Sequence, residues 1–239
     1  MNEITRLRFL KLLLASAACA PGLAALGGEM DKLRGDRVGW ARLKTNQPYW
    51  MRHAKSDPLL MRFFREHTTL NIDPTWYFAD VEDLNEMCKF PFLFTQGIHP
   101  VHSQTGIANL GEYVRRGGFL MIEACINDTI NPDPDAYLGE QRFVLSQALP
   151  EAKLVPLARD HKVFHCFFNF NDGPPRTNPG YQWTHLPMFG IMIGERMAGV
   201  ISFSGLQCGW DFMIYTPGKD VRSMQMLVNI YIYAMTQGG

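Results

Sequence analysis

Apolar and polar positions along the chain change period several times, and each change marks an element. Val38 to Leu43 alternates with a period near two and carries Trp40, which predicts a strand. Ser56-Asp57-Pro58 opens a helix. Ser or Asp can cap free backbone N–H groups, Pro58 is tolerated in the first turn, and Leu59, Leu60, Phe63 and Phe64 form an apolar face that should end near His67 to Thr69. Trp76 to Phe78 and Phe90 to Thr95 are the next two strands, the second apolar on both sides and so suited to a sheet covered on both faces. Ser103 can cap a helix with Ile107, Leu110 and Val114 on one face, and Gly117-Gly118 supplies the left-handed residue that stops it. Phe119 to Ala124 follows as a buried strand. Asp133-Pro134 then starts a helix carrying Leu138, Leu145 and Leu149, ended by Pro150.

Strand and helix alternate throughout this half, as a parallel sheet requires, because parallel neighbours must be joined by right-handed crossovers. The second half departs from that rhythm. Val163 to Phe170, Phe189 to Ile193 and Ala198 to Phe203 read as strands, the last two forming a hairpin around Gly194-Glu195-Arg196 at the sheet edge. Arg222 to Met235 is too continuously apolar for a surface helix and predicts a buried last one. No linker interrupts the chain, so residues 34–237 are expected to form one α/β domain with a mostly parallel sheet and an added antiparallel hairpin.

The first 28 residues follow a different rule. Arg6, Arg8 and Lys11 precede or flank an apolar run from Leu12 to Leu26, followed by small residues, which is the profile of an export signal and too short to span a bilayer. Thr5-Arg6-Leu7-Arg8-Phe9-Leu10-Lys11 resembles a twin-arginine signal, with Leu7 in place of the second arginine; both that route and general secretion lead to an envelope or periplasmic location. Of the 239 residues, 46% are hydrophobic and 19% charged, which excludes a disordered chain. Lys plus Arg and Asp plus Glu both number 23, so no positive field invites nucleic acid. Without the leader, Cys88, Cys125, Cys166 and Cys208 remain, open to three disulfide pairings or to four free thiols.

Open α/β sheets bind ligands beyond the carboxyl ends of their strands. The loops there are Thr95-Gln96-Gly97-Ile98-His99 and Glu123-Ala124-Cys125-Ile126-Asn127-Asp128. Gln96, His99, Glu123, Asn127 and Asp128 are therefore expected to line one polar pocket. Glu123, a carboxylate at the last position of a buried strand, needs a partner such as His99 or a backbone N–H group. Cys125 with His99 as base is the catalytic alternative, although Ala124 and Ile126 leave no room for the tight elbow such a nucleophile needs. His99 and His102, with Glu123, Cys125 or Asp128, make up a metal alternative. Their spacing equally suits histidines bonded to backbone or water, so neither a metal nor a cofactor is assigned. His161 and His165 are expected in capping and packing roles, and Trp210 of Cys208-Gly209-Trp210-Asp211 in the core.

Tyr113-Val114-Arg115-Arg116-Gly117-Gly118-Phe119-Leu120, Asp160-His161-Lys162-Val163-Phe164-His165, Gly205 to Asp211 and Asn229-Ile230-Tyr231-Ile232-Tyr233-Ala234-Met235-Thr236 together resemble domain-of-unknown-function family 4159. The resemblance implies a class I glutamine-amidotransferase-like fold, that is, a flavodoxin-like three-layer sandwich. It brings no assigned reaction and no catalytic residue, and the amidotransferase cysteine with glycine on both flanks is absent. The expected function is an exported domain holding a small ligand or protein partner at the strand ends. A hydrolase or amidotransferase-like enzyme and an envelope structural component are the alternatives. Export predicts that intact-mass analysis of protein recovered from the cell envelope will show a chain beginning after the small-residue run at residues 24–28. A soluble cytosolic product still starting at Met1 would contradict it.

Overall fold

In the computed structural model, residues 37–123, 133–175, 186–212 and 221–237 are described. β1 (Val38–Lys44) leads through α1 (Asp57–His67) to β2 (Ile72–Asp80), and β2 through the single turn α2 (Leu84–Met87) to β3 (Phe92–Thr95). From there α3 (Gln104–Arg115), β4 (Phe119–Glu123), α4 (Pro134–Ala148) and β5 (Lys153–Pro156) follow. The chain closes with the hairpin β6 (Phe189–Ile193) and β7 (Arg196–Ser202), then α5 (Leu206–Phe212) and α6 (Val221–Gln237).

These strands form a seven-stranded sheet in the order β2-β1-β3-β4-β7-β6-β5. The first five are mutually parallel, β6 runs antiparallel to β7, and β5 runs antiparallel to β6 and so in the direction of the first five. The parallel part thus has the flavodoxin-like order, with β7 in fifth place. Right-handed crossovers then dictate the layers. The chain moves from β1 to β2 in one direction and from β2 past β1 to β3 in the other, so α1 lies on one face and α2, α3 and α4 on the opposite one. The two core clusters show this division: Trp40, Phe92, Phe94 and Met121 pack with α1, α5 and α6, while Leu93, Leu120 and Ile122 pack with α2, α3 and α4. Phe92 to Thr95 and Phe119 to Glu123 are buried along their whole length, the property that marked them as central parallel strands. Among the described residues no helix is long and apolar enough to cross a membrane.

Local chemistry starts most helices as expected. Ser103 Oγ accepts from Gly106 N and Asp133 from Asp135 N and Ala136 N, and Gly117 ends α3 at φ 98°. α1 is different: neither Ser56 nor Asp57 caps it, because Asp57 is turned inward to Trp40 and Arg42. β2 is longer than Trp76 to Phe78, and Pro74 is tolerated within it because β2 is an edge strand.

Val163 to Phe170 is not a strand. Its start is a short 3-10 turn, Lys162–Phe164, and the outer place in the sheet belongs to β5 instead. The segment's backbone is satisfied by a side chain of α6: Phe168 N donates to Asn229 Oδ1 at 2.7 Å, and Asn229 Nδ2 donates to Val163 O and Phe168 O at 3.0 and 2.8 Å. The hairpin also lies one place inward, since β7 pairs with β4. Asn229→Ala leaves these backbone groups without their partner and should lower stability by about 2–4 kcal/mol in urea unfolding. A loss under about 1 kcal/mol would show that the loop is held by something else.

Candidate functional site

The sheet's carboxyl edge carries buried polar side chains on both faces. On the α5 face, Glu123 is 1% exposed and its Oε1 accepts from Leu206 N, at the start of α5, at 2.6 Å. A backbone N–H group thus meets the carboxylate at the end of β4, where helical N–H groups have no partner within the helix. Gln96 Nε2 donates to Gln207 Oε1, and Gln207 Nε2 donates to Arg52 O at 2.8 Å. Gln207 therefore ties the loop after β3 to the loop after β1, across the gap where the strand order reverses. His53 of the second loop has a left-handed backbone (φ 55°), sparsely populated for any residue but glycine, and its Nδ1 lies 2.5 Å from Asp211 Oδ2 on α5.

His99 turns to the opposite face. A Cβ on Gly97 would stand 2.7 Å from His99 Nδ1, so the ring can fold back over the backbone only because residue 97 is glycine. Its partner is Gln141, fully buried on α4. Gln141 Oε1 accepts from Ile98 N at 2.8 Å, while Nε2 donates to Tyr137 O at 3.2 Å and faces His99 Nδ1 at 3.2 Å. A backbone N–H can only donate and a carbonyl can only accept, so the amide has one orientation. Its NH2 group must donate to Nδ1. Protonation at Nδ1 would oppose two donors, and the ring is held as the neutral tautomer with its proton on Nε2. Burial lowers the His99 pKa below the ordinary histidine value; the His102 charge adds to this and Glu140 opposes it. Tyr137, stacked edge-on at 5.9 Å, anchors the same loop by donating from its hydroxyl to Gln96 O at 2.6 Å.

This ring lines an open groove of 620 Å³ between the β3–α3 loop and α4. Val101, Ile107, Val144 and Phe143 supply its apolar walls, with His102, Glu140 and Gln147 among the polar residues. Phe143 is 67% exposed, the most of any large hydrophobic side chain among the described residues. Gly139 lies in the same wall, and a Cβ there would meet nothing within 4 Å.

The expected site residues thus divide. Gln96 and Glu123 meet at α5, and His99 belongs to the groove on the other face; Cys125, Asn127 and Asp128 lie outside the described residues. Among the described residues no group of three or more His, Cys, Asp or Glu is placed to hold a metal. Cys166 donates to Asn229 O at 3.2 Å, and burial pushes its thiol up to about 11, which makes it inert. His161 accepts from Val163 N, and His165 Nε2 lies 2.9 Å from Arg159 O. Trp210 is fully buried. Sequence reasoning missed Gln141, Gly139, Phe143, His53 and Gln207. Gln141 had a signal: it is the polar member of the stripe containing Leu138 and Leu145.

No curated protein matches the chain. A family does: the domain of unknown function DUF4159 matches residues 40–235, from within β1 almost to the end of α6. The chain belongs to the DUF4159 family.

Proposed function

We propose that this chain is an exported binding domain that takes a small organic ligand in the groove between the β3–α3 loop and α4. The observation that carries the reading is His99: a half-buried imidazole in a groove of 620 Å³, with Nδ1 consumed by Gln141 and the Nε2 proton left for a ligand. The volume falls within the range of small-molecule sites, roughly 300–1,000 Å³, and mostly apolar walls with a few fixed polar groups are their usual make-up. Gly139 supports it. A mid-helix glycine costs about 0.5–1 kcal/mol relative to alanine. Packing does not require it here, and its effect is to leave the wall open. Export is supported by the basic and apolar leader at residues 1–28, and kinship with the amidotransferase-like folds by the parallel order β2-β1-β3-β4-β7.

A ligand-observed NMR screen of small aromatic and aliphatic fragments tests this, with Gly139→Leu filling the groove and Gly139→Ala as control. The alanine variant should be more stable by about 0.5–1 kcal/mol and keep the hits, and the leucine variant should fold but lose them. Hits that bind the leucine variant as well as the wild type would overturn the reading, and so would a wild type that binds nothing.

Stability should also depend on pH through His99. Its folded pKa lies below the unfolded value of about 6.5. As pH falls through that value the unfolded chain takes up the proton first, so stability present above it is lost on acidification. His161, also lowered by burial, acts in the same sense. Thermal unfolding between pH 7.5 and 5.5 should show the loss, and His99→Phe should make it smaller. An unchanged slope in that variant would contradict the account.

A further inference from the structure

The polarity of the groove narrows the class of ligand. His99 lines it, and the ring nitrogen not engaged by Gln141 is Nε2, which carries a proton because Gln141 has fixed the amide that faces Nδ1. Among the described residues Nε2 has no hydrogen-bond partner. The group it seeks is therefore an acceptor. Among the described lining residues there is no Lys or Arg, and Glu140 is the carboxylate that shares the groove with the imidazole. A ligand with a carboxylate or phosphate would meet no Lys or Arg there and one like charge at Glu140, with the exposed His102 as the one further imidazole in the lining.

The shape of the groove adds a second requirement. Ala136, Gly139, Glu140, Phe143 and Gln147 fall on one stripe of α4, and within it the missing Cβ of Gly139 lies one turn from the exposed ring of Phe143. A flat body can lie against the α4 backbone at Gly139 and cover the Phe143 ring, while Val101 and Val144 exclude water from its other edge. Leu, Ile or any longer side chain at residue 139 would occupy that place.

Resting on the reading of the groove as a ligand site, we infer that its ligand is an uncharged molecule with a carbonyl acceptor on a flat apolar body, as in an aromatic amide. The carbonyl oxygen accepts from His99 Nε2 and the body covers Phe143 and Gly139. An ammonium ligand suits Glu140 and the aromatic face but leaves Nε2 facing another donor, so it ranks below the amide.

Three probes built on the same phenyl ring separate the possibilities: N-methylbenzamide, benzoate and benzylammonium, titrated by NMR against wild type, His99→Phe and Gly139→Leu. The amide should bind the wild type about tenfold tighter than either charged probe. His99→Phe, which keeps the ring and removes the donor, should weaken the amide about three- to tenfold. Gly139→Leu should abolish its binding. The ranking on the wild type stands as a test even if His99→Phe folds poorly. Benzoate or benzylammonium binding tightest, or no probe binding at all, would overturn the assigned class. Should a charged probe win and still be lost in Gly139→Leu, the groove survives as a ligand site and the carbonyl class falls. If binding is indifferent to Gly139→Leu, both fall.

Discussion

A guanidinium with no exposed surface must be ringed by acceptors, and at Arg42 that demand shapes the carboxyl edge of the sheet. Arg42 and Asp57 are both fully buried, joined through Nε to Oδ2 at 2.6 Å and Nη2 to Oδ1 at 2.7 Å. Trp40 Nε1 donates to the same Oδ2 at 2.9 Å, and Arg42 Nη1 donates to Trp50 O and Arg52 O at 2.6 and 2.9 Å. One side chain thus joins β1, the first turn of α1 and the loop between them, and it explains why α1 begins without a side-chain cap. The charge also lies 5.1 Å from the Phe94 ring and 5.8 Å from that of Trp76. Such a pair adds little net stability over apolar residues of the same volume, but loss of one partner costs about 3–5 kcal/mol because the other is stranded. The bonds from Arg42 to Trp50 O and Arg52 O tie the loop after β1 to the strand.

That placement carries the loop after β1 across the strand ends. In flavodoxin-like sheets the usual site is the gap between β1 and β3, where the strand order reverses. Here Arg42 draws Arg52 O over that gap and Gln207 bridges it to Gln96, with His53 held against Asp211 alongside. Among the described residues, these bonds cross the crevice on the α5 face. Among the described residues, an open groove lies on the other face, beside α4, where His99 leaves the β3 loop in the opposite direction to Gln96. Two neighbouring loop residues therefore take different faces: Gln96 bonds to Gln207 of α5 on one, and His99 lines the groove beside α4 on the other.

The parallel part of this fold was legible because its signals are local. Runs apolar on both faces at Phe92 and Phe119, caps at Ser103 and Asp133 and the stop at Gly117 each act within a few residues. Where distant groups decide, the pattern misled. Val163 to Phe170 has a strand's composition, yet Asn229 takes up its backbone from the far end of the chain. β5 is short and largely exposed, with no apolar alternation to reveal it, and α5 is a seven-residue helix with Gly209 inside. Glu123 announced its need for a partner, but whether that partner came from His99 or from a backbone N–H depended on which face each side chain took. Gly97 settles this for His99, through a contact that spacing along the chain does not contain.

Gln141 holds His99, which lines the groove, as a neutral donor. The imidazole 15N shifts of His99 at pH 7 test it most directly, since protonated and unprotonated ring nitrogens resonate far apart. The expected spectrum shows a protonated Nε2 and an unprotonated Nδ1. A ring protonated at Nδ1, alone or together with Nε2, would contradict it.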